Sequence, residues 1–181
     1  MKSFCLFLLA LIFAGKSFGQ SDILNAHRDS VVSYADSVSV NGATKEDLFI
    51  RARDWLACNG KTLKMEDRES WKIIGTASMD GPVTVHYLGT QTGIASFDFV
   101  IIIQVKDGQY SYTITNIDNT RVNGTNFNGT FGFLYKSTHC SAKGFILSQA
   151  KIDLAYQSLK DGFDKSEKEL VAFLGSSMKN P

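Results

Sequence analysis

Apolar and polar residues alternate most cleanly between Phe97 and Ile117, FDFVIIIQVKDGQYSYTITNI, where two runs of strand-forming residues flank Asp107-Gly108. Asp-Gly is a tight-hairpin signal, read as a type I′ turn with both residues at positive φ. The turn sets a register. With Lys106 opposite Gln109, Val105 faces Tyr110, Ile103 faces Tyr112, Ile101 faces Ile114 and Phe99 faces Asn116. One face of this ribbon is almost wholly apolar. The other, with Asp98, Val100, Ile102, Gln104, Lys106, Ser111, Thr113 and Ile117, is mixed. A two-stranded ribbon is marginal alone in water, so the apolar face requires a second layer.

Helical periodicity supplies two candidates for that layer. Thr44 to Cys58 carries Leu48, Ala52, Trp55 and Leu56 on one stripe. Thr44 is placed to cap its start, Glu46 and Asp47 put negative charge at the positive end of the helix dipole, and Asn59-Gly60 is a stop signal. Near the end of the chain, Ile152, Tyr156, Leu159 and Phe163 form a second stripe. Gly162 interrupts it, and Ser166 with Glu169 resembles a capping box ahead of Leu170, Phe173 and Leu174, so two helices and one broken helix fit equally well.

Shorter alternating runs predict further strands. Asp36 to Val40 stops at Asn41-Gly42; Leu63 to Ser78 reads as a strand pair or one bent strand, with Gly75 at a bulge. Asp80-Gly81-Pro82 reads as a turn, and Val83, Val85 and Tyr87 share one face of the strand after it. Asp118 to Gly132 is rich in Asn, Thr and Gly and predicts a long excursion, after which Phe131, Phe133 and Tyr135 alternate as a last strand. Strands with a helix near the start and helices at the end argue for an α+β fold, an antiparallel sheet with a helix packed on one face and a helical region at the C-terminus.

The first residues change the picture of compartment. Lys2 precedes an apolar run, Phe4 to Ala14, too short to span a bilayer, and Ser17-Phe18-Gly19 offers small residues for cleavage. Residues 1–19 therefore read as a secretory signal peptide with Gln20 opening the mature chain, followed by a polar arm over 20–35. An uncleaved anchor is the alternative, disfavoured because no stop-transfer flank follows. The expected location is periplasmic or secreted, with no membrane span after signal cleavage.

Removing residues 1–19 takes away Lys2 and Lys16 of the 19 basic residues, leaving 17 against 18 acids. Interspersed charge of this balance is not the profile of a nucleic-acid binder, which needs clustered Lys and Arg. Cys5 leaves with the signal, so Cys58 and Cys140 remain, and in an oxidising compartment they read as a possible disulfide or as two buried apolar side chains.

Three segments together, TKEDLFIRARDWLA (Thr44 to Ala57), SWKIIGTAS (Ser70 to Ser78) and VKDGQYSYTITNI (Val105 to Ile117), resemble the DUF4468 domain, an exported Bacteroidetes domain of unknown function. The resemblance implies a TBP-like fold over residues 36–118, with 119–181 packing on the same domain as loop, strand and helices. Family members commonly carry a basic residue between the two aromatics of the second hairpin strand. Here Ser111 stands between Tyr110 and Tyr112. No family site transfers, and the Asn-Gly-Thr sequons at Asn123 and Asn128 read as turns if the source is bacterial, as the resemblance implies.

Catalytic constellations are weak. His139-Cys140 is an adjacent pair without Cys-x-x-Cys or His-x-x-x-His spacing, so no metal or cofactor is expected. Glu66, Asp67 and Glu69 read as a charged turn rather than paired acids. Neither a phosphate-binding glycine loop nor a Gly-x-Ser-x-Gly elbow occurs. The expectation is a non-enzymatic exported binding or envelope-associated domain that uses the Asn-rich segment as its contact surface. The alternative is a small-ligand carrier whose pocket, lined by Tyr110, Tyr112 and Phe133, lies between the sheet and the C-terminal helices.

Overall fold

The Asp107-Gly108 turn is held from outside the hairpin. Only Gly108 takes positive φ (71°), so the turn is not the type I′ form that the dipeptide suggests. Asp107 instead accepts the Lys45 backbone N–H at 2.8 Å. Gly108 accepts from Val40 N–H at 2.8 Å and donates to the Ala43 carbonyl at 2.9 Å, so the loop before the first helix fixes the turn.

A computed structural model describes residues 31–58, 61–86, 89–125, 130–136 and 148–179, all within one compact unit, Val31–Pro181. In chain order the elements are β1 (Tyr34–Ser39), α1 (Lys45–Ala57), β2 (Thr62–Asp67), β3 (Lys72–His86), β4 (Thr90–Lys106), β5 (Gln109–Asn123), β6 (Gly132–Phe133) and α2 (Gln149–Lys179). The sheet runs β1-β5-β4-β3-β2, every described pairing is antiparallel, and β6 adds to β5 beyond the end of β1. This is the α+β arrangement expected from the pattern.

The hairpin register holds from Lys106/Gln109 to Val100/Thr115 and then shifts. Asn116 sits at φ 53° in the resulting bulge, so Asp98, not Phe99, is next to face a partner, Asp118. One inserted residue exchanges the faces of everything after it. Ile117, expected on the mixed face, is thereby turned fully into the core, and a second register shift, between Ser96 and Phe97, brings Val122 into the core in turn.

Two expected turns are strand instead. β3 continues through Asp80-Gly81-Pro82, pairing with Ser96, Ala95 and Ile94. β5 likewise runs to Asn123, which shortens the Asn-rich excursion to the residues after it. Tyr87 and residues 126–129 lie outside the described residues.

Both helices cover the same face of the sheet. α1 starts with a capping box in which the Asp47 N–H donates to Thr44 Oγ1 at 3.1 Å and the Asp47 carboxylate accepts in return, a motif that contributes about 1 kcal/mol. These bonds to Thr44 hold the Asp47 carboxyl below the usual carboxylate range. Leu48, Phe49, Ala52, Trp55 and Leu56 are buried, Phe49 being the stripe member that the sequence pattern omitted. Gly75 lets α1 approach, since a Cβ there would lie 2.7 Å from Leu56 Cδ2.

α2 is one continuous helix of 31 residues, with no break at Gly162. It lies along the half of β3 that β2 does not reach. Thr84 N–H donates to Ser158 Oγ at 2.8 Å, and Ser166 Oγ donates to the Asp80 carbonyl at 2.8 Å. Between these bonds Gly162 packs on Gly81 and Pro82, backbone against backbone. The helix end returns to α1, where Arg51 Nη1 donates to the Met178 carbonyl at 2.7 Å. With strands of 15 and 17 residues in β3 and β4, the two covers share the apolar face rather than compete for it.

Candidate functional site

Alternation along β3, β4 and β5 leaves the second face of the sheet without a helix among the described residues. Ile74, Val100 and Ile102 are half-buried there, among hydroxyls and charged groups. The bulge at Asn116 bends this face into a groove of about 470 Å³ that crosses the strands from Thr62 on β2 to Phe133 on β6. Thr76, Ser78, Asp98, Val100, Asn116 and Asp118 line it between those ends. Phe133 is 48% exposed, an aromatic side chain free to meet a ligand.

Asp98 and Asp118 stand directly opposite each other on β4 and β5. Ser78 donates its hydroxyl to Asp98 Oδ1 at 2.5 Å. Partial burial, and then the charge of Asp98, push the Asp118 carboxyl up from its ordinary value. Like charges opposite one another on a sheet oppose folding, so the pair favours an occupant that supplies hydrogen-bond donors. The groove lining holds acceptors, hydroxyls, an amide and two aromatics, of which Phe133 is the exposed one, a set suited to holding a ligand. A second hollow of about 250 Å³ lies beside the hairpin turn, among Ser37, Gln104, Lys106, Gln109 and Ser111.

The three aromatic candidates do not gather. Tyr110 and Tyr112 are 1% and 6% exposed, their rings packed in the core beneath the helices. Their even positions on β5 precede the bulge, and that parity faces α1 and α2. Phe133 stands beyond the bulge and lines the groove on the uncovered face. A common pocket of these residues between sheet and C-terminal helix is therefore corrected: sheet and helix side chains interlock in that layer, with Phe163 set among Tyr34, Phe97 and Phe99.

Cys58 is exposed at the end of α1, not buried. Cys140 lies outside the described residues, as does His139, and with them the proposed pairing. Among the described residues no three His, Cys, Asp or Glu side chains gather as a metal site, and no helix is long and apolar enough to cross a membrane. Asp98 and Val100 were legible as members of the mixed face. Asp118 was not, because the bulge, not alternation, brings it there.

A helix, three long antiparallel strands and a second helix on one face, with the opposite face uncovered, define a TBP-like α+β module. Residues 34–120 match the family described as domain of unknown function (DUF4468) with TBP-like fold. A solved DUF4468 family protein from Bacteroides ovatus ATCC 8483 shares the fold, with TM-score 0.55 and 13% identity over 84% of this chain and 89% of that one. A TBP-like protein from Parabacteroides distasonis ATCC 8503 aligns with TM-score 0.49 and 13% identity, over 83% of this chain and 94% of its own. No curated protein matches.

Proposed function

We propose that the protein is an exported, non-enzymatic binding module that takes its ligand or envelope partner on the uncovered face of its sheet. The observation that carries this reading is the transverse groove, which joins a half-buried apolar floor at Val100 to an exposed aromatic wall at Phe133 and polar groups between them. Its volume falls within the range of about 300–1,000 Å³ of small-ligand clefts, and its open form suits an extended segment or a ligand held on one side. The groove replaces the Asn-rich segment as the contact surface, since much of that segment is strand. Asp98 and Asp118 line the groove and no Lys or Arg is among its lining residues, which disfavours a phosphate there and with it nucleic acid as the partner.

The test is recovery of the full chain from its native envelope in parallel with a Val100→Arg variant, both read by mass spectrometry. Val100 is half-buried on the uncovered face, so the variant is expected to fold with an unchanged thermal midpoint. A bound species present with the parent and reduced about tenfold in the variant supports the reading. Equal recovery from both, or from neither, sinks it. Export carries its own check: the recovered protein, sequenced from its N-terminus, is expected to begin at Gln20.

A further inference from the structure

Among the described residues the buried polar or charged side chains are Asn119 and Glu167. Asn119 is fully used, donating to the Ser96 and Arg121 carbonyls at 3.1 Å each and accepting from Phe131 N–H at 3.0 Å. Glu167 is different. It is 8% exposed and lies three residues beyond Asp164 on the same face of α2. Tyr34 reaches over from β1, donates its hydroxyl to Asp164 Oδ1 and rests its ring on Phe163, with centroids 5.4 Å apart.

The charged surroundings are unbalanced. Asp164 bears on Glu167 from one side, and Lys168 is the cation that opposes it. From the sheet, Tyr112 feels the Glu167 charge, and Asp36 on β1 adds negative charge that reaches both Tyr112 and Tyr110. Two carboxylates, two tyrosines from β1 and β5, a further carboxylate and one lysine meet where the middle of α2 rests on the sheet.

We propose that the Asp164 and Glu167 pair on α2, the first bonded by the Tyr34 hydroxyl and the second buried beside it, is a pH-sensitive latch that seats the middle of α2 on the sheet in acid and loosens it toward neutral pH. One proton on the pair removes the repulsion and leaves a group that can be buried without a counter-ion. Burial, and then the charge of Asp164, push the Glu167 carboxyl up from its ordinary value, while Lys168 opposes them. Burial, reinforced by the bond to Asp164, pushes the Tyr34 phenol up as well, so it stays a donor throughout. A carboxyl that binds its proton more tightly folded than unfolded costs no stability below the unfolded value. The stability difference appears as pH rises through the interval between the two values, and it is fully present above the folded one. Acid therefore tightens this contact, the reverse of an ion-paired carboxylate.

Hydrogen exchange of α2 in the full chain, corrected for intrinsic rates and followed from mildly acid to mildly alkaline pH, tests the latch. Amides around Asp164 to Lys168 are expected to gain protection several-fold on acidification in the parent protein. Glu167→Gln is expected to keep the acid level of protection across the whole range. Parallel pH profiles for parent and variant overturn the proposal. Should the variant fold poorly, carbon NMR of the Glu167 carboxyl in the unaltered protein decides instead: titration above the ordinary glutamate value supports the latch, and titration at that value refutes it.

Discussion

Phe163→Ala is expected to lower the free energy of unfolding by about 3–5 kcal/mol, the range for deleting a buried aromatic side chain. The ring is fully buried and meets Phe97 at 5.2 Å and Phe99 at 6.0 Å between centroids, both edge-on, with Tyr34 on a third side. Edge-to-face pairs of this kind add to the area term, and the three partners come from two strands, so the surroundings have little room to collapse into the space. Against a typical total of about 5–15 kcal/mol, the loss is a large share of stability. Urea unfolding reads it as a lower midpoint at nearly constant slope. A loss under about 1 kcal/mol, near the middle of ordinary substitutions, would show that α2 does not depend on this ring.

The second large effect runs against helix propensity. In the interior of an exposed helix, Gly→Ala gains about 1 kcal/mol. At Gly162 the added methyl would enter the Pro82 carbonyl oxygen, well inside van der Waals contact, and the obstacle is strand backbone with no rotamer to change. Gly81 meets the helix from the other side, since a Cβ there would lie 2.7 Å from the Gly162 carbonyl oxygen. Overpacking of this type costs about 3 kcal/mol, so Gly162→Ala is expected to be destabilising by a net of about 2 kcal/mol. The same substitution at Gly175, where a Cβ would find Tyr110 Oη at an ordinary 3.6 Å, serves as the control. Equal midpoints for the two variants in thermal unfolding would show that the close approach at Gly162 is not needed.

Local chemistry explains which parts of this fold could be read from the chain. The hairpin register was legible because Asp107-Gly108 fixes one end and side-chain alternation propagates it. Alternation carries no signal for an inserted residue, so the shift at Asn116 escaped it, and with it the faces of Ile117 and Asp118. Asp80-Gly81-Pro82 has the composition of a turn, yet each residue suits the strand it occupies. Asp80 and Thr84 direct backbone groups outward to α2, and Pro82, of the same parity, lacks an N–H where no neighbouring strand would accept one. Gly81 is needed for the helix approach. A glycine inside a helical stripe looks like a break until its packing partner is known, which is why α2 read equally as one helix or two. The groove was half legible: Asp98 and Val100 follow from alternation, whereas Phe133 reaches it through a two-residue strand that pairs far from its neighbours in sequence.

The bonds from Ser158 and Ser166 to β3 have a consequence for behaviour at high concentration. β2 ends its pairing at Thr76, and from there to His86 the outer margin of β3 is a run of backbone donors and acceptors with α2 laid along it. Such a margin, when bare, is a template on which another chain can add a strand. α2 thus acts as a guard against self-association, and chains shortened before Gln149 would expose a ready site for intermolecular sheet growth.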